Sequence, residues 1–152
     1  MENYVCSMQN PEHGSLLALV QCIHVYLKDI GSAGNRYFHN FPDSCCFFST
    51  FFAALVIERS GFEQPKWVFG FRQSTGGHVW GECSGFLIDL TAGQYMDSPS
   101  EFIMYPYPAL PLCEFHSTFE IVEKGIFDER FRHDKEYVEV QQLVEAFMSR
   151  KQ

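Results

Sequence analysis

Residues 45–61 read CCFFSTFFAALVIERSG, and this stretch is apolar on nearly every side for about three helical turns before Glu58 and Arg59 appear. A surface helix would carry a polar face, so a helix of this composition must lie inside its domain. Ser44 precedes the stretch as the expected N-cap, and Gly61 ends it. The sequence therefore predicts a buried central helix around which the rest of the chain packs.

Beyond this helix the spacing of apolar residues shortens to two, or the apolar residues run continuously, which is typical of strands. Three such segments follow one another, and the links between them are too short for a parallel crossover. We therefore expect three antiparallel strands in a meander. The segments are KWVFGFRQ (66–73), HVWGECSG (78–85) and FLIDLTAG (86–93).

The outer parts of the chain predict further elements of both kinds. Apolar residues three and four apart predict helices over residues 12–29 and 133–150, and residues 114–125 are expected to return as a strand. The Pro-rich stretch after Gln94 that runs through residues 105–113 cannot be a central strand, because each proline removes a ladder donor. We expect one α+β domain over residues 1–152, with the central helix packed on an antiparallel sheet.

Composition excludes several classes of function. The chain has 152 residues, 46% hydrophobic and 20% charged, with a net charge of −8, which is typical of a globular protein that nucleic acid would repel. No run of residues is long and apolar enough to span a membrane, and the first residues do not resemble a signal peptide. We expect a cytoplasmic protein, or an effector exported without a signal peptide, and its oligomeric state is left open.

Two adjacent cysteines, Cys45 and Cys46, stand at the start of the buried helix. Unpaired N–H groups of a first helical turn and the helix dipole favour a thiolate, and the same groups can bind the oxyanion that forms when a thiolate attacks an amide. The placement predicts a nucleophile. All six cysteines are expected to be mostly reduced, and Cys6, Cys22 and Cys113 are expected to be buried apolar side chains.

A nucleophilic thiol needs a base, and His78 directly follows a Gly-Gly turn at the start of a predicted strand. Asp89 lies in the middle of FLIDL, where a carboxylate is costly unless it is hydrogen-bonded. In a hairpin of the two strands, His78 and Asp89 become cross-strand neighbours. The sequence thus predicts a Cys–His–Asp site, with one cysteine on the helix and the base and its orienting group on two strands.

The segments FPDSCC, GGHVWGEC and FLIDLTAGQY, within about residues 40–95, resemble the FPxGxC, HxWxE and IIDxTxxQF segments of small bacterial members of the papain-like and transglutaminase-like superfamily. The resemblance implies a papain-like core with Cys46 as nucleophile, His78 as base and Asp89 as acid. It departs at Ser44, where the family usually has Gly. Accompanying motif positions fall on Trp80, Glu82, Thr91 and Gln94.

The function expected from residues and resemblance together is that of a cysteine-dependent amide hydrolase or acyl transferase acting on a protein or peptide, without a cofactor. The resemblance favours a protein glutamine deamidase over a cysteine peptidase (thiol protease) or a transglutaminase. Cys45, Trp80 and Gln94 are candidates for contact with the substrate or the oxyanion.

Two other interpretations stay open. One is a catalytically inactive interaction module that binds a partner through an aromatic surface around Tyr95, Tyr105 and Tyr107. The other is a vicinal disulfide between Cys45 and Cys46 that acts as a redox switch. No metal site is expected, because CxxC and HxxxH motifs are lacking and His78 with Cys83 forms a single pair of candidate ligands.

Overall fold

The computed structural model describes residues 11–106 and 114–150, and this part of the chain is a mixed α+β structure, as expected. Its five strands form one antiparallel sheet in the order β4-β3-β2-β1-β5. The helices are α1 (Pro11–Ser32), α2 (Cys46–Arg59), α3 (Glu114–Ser117) and α4 (Lys135–Arg150), with 3₁₀ turns at Ala92–Gln94 and Glu129–Arg132. The strands are β1 (Lys66–Arg72), β2 (Gly76–Cys83), β3 (Phe86–Asp89), β4 (Ile103–Pro106) and β5 (Glu120–Gly125).

Helix α2 is the central helix that its composition predicts. Every residue from Ser49 to Ile57 is buried, and the helix contacts α1, α4, β1 and β2. Its first turn differs from the expectation, because Cys45 and not Ser44 occupies the N-cap position and no side chain caps the helix. Ser44 adopts a φ of 58°, a left-handed conformation in which it serves as the last residue of the turn before the helix.

The two faces of the sheet bury separate sets of side chains, as the alternation along strands requires. The face toward α2 contributes Trp67, Val79, Cys83 and Ile88 to the main core. The opposite face forms a second cluster beneath α3. Its members are Val68, Trp80, Leu87, Ala92, Ile103, Tyr105, Phe115 and Phe119.

Two segments differ from their predicted structure. Residues 103–106, in the Pro-rich stretch, form strand β4, which tolerates proline because it lies at the edge of the sheet. Residues 114–125 were expected to form one strand, but the chain first turns through α3 and only then enters β5, the opposite edge. Residues 107–113, which include Tyr107 and Cys113, lie outside the described residues.

Cys22, Cys45 and Cys46 are free thiols, so no disulfide bond joins the vicinal pair. Cys22 is exposed, which corrects the expectation of a buried side chain. It lies on α1 and lines a cavity between α1 and α4. Cys6 lies outside the described residues. Within those residues, no helix combines the length and hydropathy that crossing a membrane requires.

Candidate active site

His78 and Asp89 lie on the same face of the sheet and in contact. The register of β2 and β3 pairs Gly81 with Ile88, and its continuation places Asp89 opposite Trp80. His78 is therefore a diagonal neighbour of Asp89 and not the directly facing residue. The ring nevertheless reaches the carboxylate, with Nε2 of His78 at 2.6 Å from Oδ2 of Asp89. Both side chains are completely buried.

Both carboxylate oxygens of Asp89 are occupied. Oδ1 accepts from the backbone N–H of Thr91 at 3.0 Å and faces the Thr91 hydroxyl at 3.4 Å. Oδ2 accepts from a second imidazole besides His78, because Nε2 of His116 lies 2.8 Å away. A buried carboxylate is costly unless such donors surround it. Asp89 is thus held as an anion by donors from three segments of the chain.

Burial alone would lower the pKa of His78, but the charge and hydrogen bond of Asp89, together with the hydrogen bond and charge of Cys46, outweigh it and raise this pKa to about 9. For Asp89, burial would raise the pKa, and the charges and hydrogen bonds of His78 and His116 instead hold it well below its usual range. The same interactions therefore favour an imidazolium and a carboxylate at neutral pH.

Cys46 is the first residue of α2, where backbone N–H groups of the first turn have no partner within the helix. Its side chain is partly exposed, and it lies close enough to His78 to raise the pKa of the ring. Because Asp89 takes Nε2, the ring nitrogen that remains for the thiol is Nδ1. The side-chain amide of Gln94 also approaches Nδ1, at 3.4 Å.

Aromatic rings enclose the imidazole. Tyr95 meets the His78 ring edge to face at 4.9 Å between centroids, and Trp80 and Phe119 lie at 5.7 and 5.6 Å. Burial, followed by the charges of Cys46 and Asp89, raises the pKa of Tyr95 to about 12. Tyr95 is therefore a phenol at neutral pH, partly exposed at the edge of the site.

Arg72 fixes this aromatic layer. Its guanidinium forms two hydrogen bonds with Asp97 at 2.7 and 2.8 Å and a third with Thr118 at 3.0 Å. It also lies over the rings of Tyr95 and Phe119, at 5.1 and 4.5 Å from their centroids. One side chain thus ties the end of β1 to the loop after Gln94 and to the turn before β5.

The expected site residues divide into two groups. Cys46, His78, Asp89 and Gln94 lie together, whereas the side chains of Cys45 and Trp80 are buried, at 3% and 1% exposure. Burial raises the pKa of Cys45 to about 11, and its sulfur accepts from the Ser49 hydroxyl at 3.6 Å. Cys45 is thus a core thiol.

Glu82, another motif position, forms a salt bridge with Lys124 at 3.1 Å. One further expectation needs correction. Tyr105, proposed for an exposed aromatic surface, is only 8% exposed because strand β4 places it in the second cluster. A partner-binding surface around Tyr95, Tyr105 and Tyr107 therefore lacks one of its members.

His116 is the site residue that the sequence analysis missed, since it lies in a segment read as a strand and belongs to no recognised motif. Possible ligand atoms of His78, Asp89 and His116 lie within 4.8 Å of one another, so among the described residues these three could share a metal ion. Both rings, however, approach one carboxylate oxygen at hydrogen-bonding distance. Those distances are typical of N–H···O hydrogen bonds from each ring to the carboxylate.

The arrangement combines a partly exposed thiol at a helix N-terminus, an imidazole beside it and a buried carboxylate behind the imidazole, which are the parts that nucleophilic attack on a carbonyl requires. No protein-family model matches the chain, and no match was found among curated proteins or solved structures.

Proposed function

We propose that the protein is a cysteine-dependent amide hydrolase in which Cys46 is the nucleophile, His78 the acid and base, and Asp89 the group that orients His78. The observation that carries the proposal is the His78–Asp89 hydrogen bond of 2.6 Å, with Cys46 close enough to the same ring to raise its pKa. A structural ion pair alone would not require a partly exposed thiol at the other side of the imidazole.

In the first half of the reaction, the thiolate of Cys46 forms a bond to the carbonyl carbon of a carboxamide, and the carbonyl π electrons move to oxygen. The Cys46 backbone N–H and the amide of Gln94 are the donors available for this oxyanion. As the tetrahedral intermediate collapses, the C–N bond breaks and His78 gives its Nδ1 proton to the departing nitrogen. Ammonia or an amine leaves, and a thioester remains on Cys46.

In the second half, water attacks the thioester and His78 takes a proton from that water. Collapse of this intermediate breaks the C–S bond and releases a carboxylic acid, and the thiolate–imidazolium pair is restored. Asp89 keeps the Nε2–H tautomer in place throughout, so Nδ1 always faces the reacting atoms. Replacement of water by an amine in this half would give acyl transfer by the same residues.

For the substrate, we propose the side-chain amide of a protein-bound glutamine, as the resemblance of FPDSCC, GGHVWGEC and FLIDLTAGQY implies. Papain-like peptide-bond cleavage and transglutamination would use the same nucleophile and base. The papain-like core that the resemblance implies is part of this proposal. The site differs from that of the resembled family at Ser44, whose φ of 58° is one that glycine adopts more easily.

Alkylation tests the nucleophile without knowledge of the substrate. At neutral pH we expect iodoacetamide to modify Cys46 faster than Cys22, an exposed thiol outside the site that serves as an internal control. His78→Phe should slow alkylation of Cys46 and leave that of Cys22 unchanged. Equal, slow alkylation of both thiols, unaffected by His78→Phe, would contradict the proposal.

Mass spectrometry of a glutamine-containing protein then distinguishes the reactions. Deamidation adds about 1 Da without cleavage, peptidase activity gives fragments, and acyl transfer adds the mass of an offered amine. We expect the first product with the parent and none with Cys46→Ala. Fragments or amine adducts would replace the deamidase proposal with another reaction of the same triad.

A further inference from the structure

The imidazole of His116 makes one hydrogen bond to the described residues, and its partner is Asp89. Its Nε2 lies 2.8 Å from Oδ2 of Asp89, and its Nδ1 is buried without a hydrogen-bond partner among the described residues. The ring packs against Trp80 at 4.8 Å and Phe115 at 4.9 Å between centroids. An apolar side chain would pack there without an unsatisfied nitrogen, so packing alone does not explain a histidine.

The position of His116 is fixed by the turn around it. The backbone N–H of Phe119 donates to the carbonyl of His116 at 3.1 Å, and Arg72 binds the hydroxyl of Thr118 at 3.0 Å. Phe115 and Phe119 anchor the same turn in the second cluster. Helix α3 therefore presents the imidazole to Asp89 from a segment held to the sheet on both sides.

His78 and His116 compete for the same carboxylate oxygen. Each Nε2–H donates to Oδ2 of Asp89, at 2.6 and 2.8 Å, while Oδ1 is occupied by Thr91. A donor that shares Oδ2 stabilises the carboxylate and reduces the negative charge available to the other ring. His116 thereby weakens the hold of Asp89 on the His78 proton.

We propose that His116 is a positioning residue of the site, which fixes the carboxylate of Asp89 and limits how tightly Asp89 binds the proton of His78. The kinetic consequence rests on the proposed function: an imidazolium that holds its proton too tightly is a weaker acid toward the departing nitrogen. His116 acts through Asp89 and contacts no reacting atom.

The groups that face His78 come from four elements. Asp89 lies on β3, Cys46 on α2 and Tyr95 after the 3₁₀ turn, and His116 on α3 reaches the same cluster with its ring 6.5 Å from that of His78. Arg72 of β1 contacts Tyr95 and Phe119 from outside. Of these groups, His116 is the one whose side chain hydrogen-bonds to Asp89 alone among the described residues, which makes a selective substitution possible.

The test compares His116→Phe, which keeps a ring but removes the donor, with His116→Gln, whose side-chain amide restores a donor near the position of Nε2. NMR titration of the His78 imidazole is the first measurement and needs no substrate. In His116→Phe we expect the pKa of His78 to rise and turnover to fall about tenfold, the smaller of the losses seen when an outer hydrogen-bond partner is removed. In His116→Gln both should return close to parental values.

Two further comparisons and one reserve variant support the test. His24→Phe removes another buried histidine, which packs between Phe41 and Phe102, and should leave the His78 titration unchanged. In an Asp89→Asn background, His116→Phe should cause little further loss of activity, because its effect passes through Asp89. Should His116→Phe not fold, His116→Met gives the same test with a more adaptable apolar side chain.

An unchanged His78 titration in a folded His116→Phe or His116→Met protein would overturn the proposal, as would equal defects in the Phe and Gln variants. Failure of the proposed function has a different signature. In that case Cys46 is not selectively alkylated and no turnover is found, while the effect of His116 on the His78 titration persists.

Discussion

Thr91 fixes Asp89 from two residues further along the chain, since its backbone N–H donates to Oδ1 of Asp89 at 3.0 Å. This local contact holds one carboxylate oxygen by a short loop of backbone, and the second oxygen is left for side chains that arrive from β2 and α3. A carboxylate fixed in this way can orient an imidazole without moving itself.

Asp89→Asn preserves the shape of the side chain but offers His78 an amide donor or a neutral acceptor, which favours the wrong tautomer. We expect activity to fall by up to about ten-thousand-fold, the loss seen in another triad. Asp89→Ala should also cost about 1–3 kcal/mol of unfolding free energy, because it leaves buried imidazole donors unpaired. Activity and the urea midpoint of unfolding are measured for the two variants. Parental activity and a parental midpoint in each variant would remove Asp89 from the site.

The two adjacent thiols should respond differently to substitution. Cys46→Ala is expected to abolish turnover with little change in stability, since that side chain is partly exposed. Cys45→Ala should keep most of the activity and cost about 1–2 kcal/mol, because it leaves a small gap and the Ser49 hydroxyl without its acceptor. Turnover and thermal unfolding of the two variants provide the comparison, and activity in Cys46→Ala would contradict the assignment.

The pH dependence of turnover should follow His78. Its pKa is raised to about 9, so the imidazolium that protonates the departing nitrogen is lost as pH rises through about 9, and turnover should fall there. Alkylation of Cys46 needs no such proton and should not fall in that range. Turnover that keeps rising above pH 9 would exclude His78 as the acid.

Stability should depend on pH through the same two groups. The contribution of His78, whose pKa is raised from 6.5 to about 9, is fully present below pH 6.5 and is lost as pH rises toward 9. The contribution to stability of Asp89, whose pKa is lowered from 3.8, is present above pH 3.8 and is lost as pH falls below 3.8. Urea unfolding from pH 3 to 10 should show a maximum between these limits, and Asp89→Asn should flatten it.

Arg72→Ala should loosen the aromatic layer around His78, because it removes the hydrogen bonds to Asp97 and Thr118 and the contacts with the rings of Tyr95 and Phe119. We expect a cost of about 1–2 kcal/mol and a loss of activity. Arg36→Ala is the matched control. Arg36 also lies over a tyrosine, at 5.0 Å, but its side chain is 64% exposed, so its loss should change stability by less than about 0.5 kcal/mol.

Gly70 faces His78 across β1 and β2, and a methyl group there would meet Trp80 at 2.6 Å and Phe119 at 2.9 Å. Gly70→Ala should therefore displace the rings that pack against His78, at a cost of about 1–3 kcal/mol and with loss of activity. Gly81→Ala is the control on β2, since its nearest new contact is an ordinary 3.6 Å. Equal thermal unfolding and activity of the two variants would show that the tight packing at Gly70 does not matter.

The fold class and the central helix could be predicted because their signals are local. An unbroken apolar run defines α2, and a period of two with short links defines the β1–β3 meander. The position of the N-cap of α2 could not be predicted, because propensity favours Ser44 as the cap, while the preceding turn requires Ser44 in a left-handed conformation. Strand β4 depends on pairing with β3, a tertiary contact that proline-rich sequence conceals.

The site could be predicted only in part for the same reason. His78 and Asp89 lie on consecutive strands, so their contact follows from the hairpin, with a diagonal offset that depends on register. His116 joins them because α3 folds over the far face of the sheet. A lone histidine between two phenylalanines carries no spacing that would connect it to a carboxylate 27 residues earlier.

The partition of side chains between the two faces of the sheet has a consequence for when the thiol can be activated. Cys46 begins the helix of the main core, whereas Trp80 and Phe119, which pack against His78, belong to the second cluster beneath α3. Helix α3 is translated well after Cys46. A nascent chain that has formed only its first half therefore carries an unpaired cysteine with no base. In the proposed site, pairing of the thiol with His78 requires both faces of the sheet to be covered, and a chain that ends before β2 would lack the activity proposed for it.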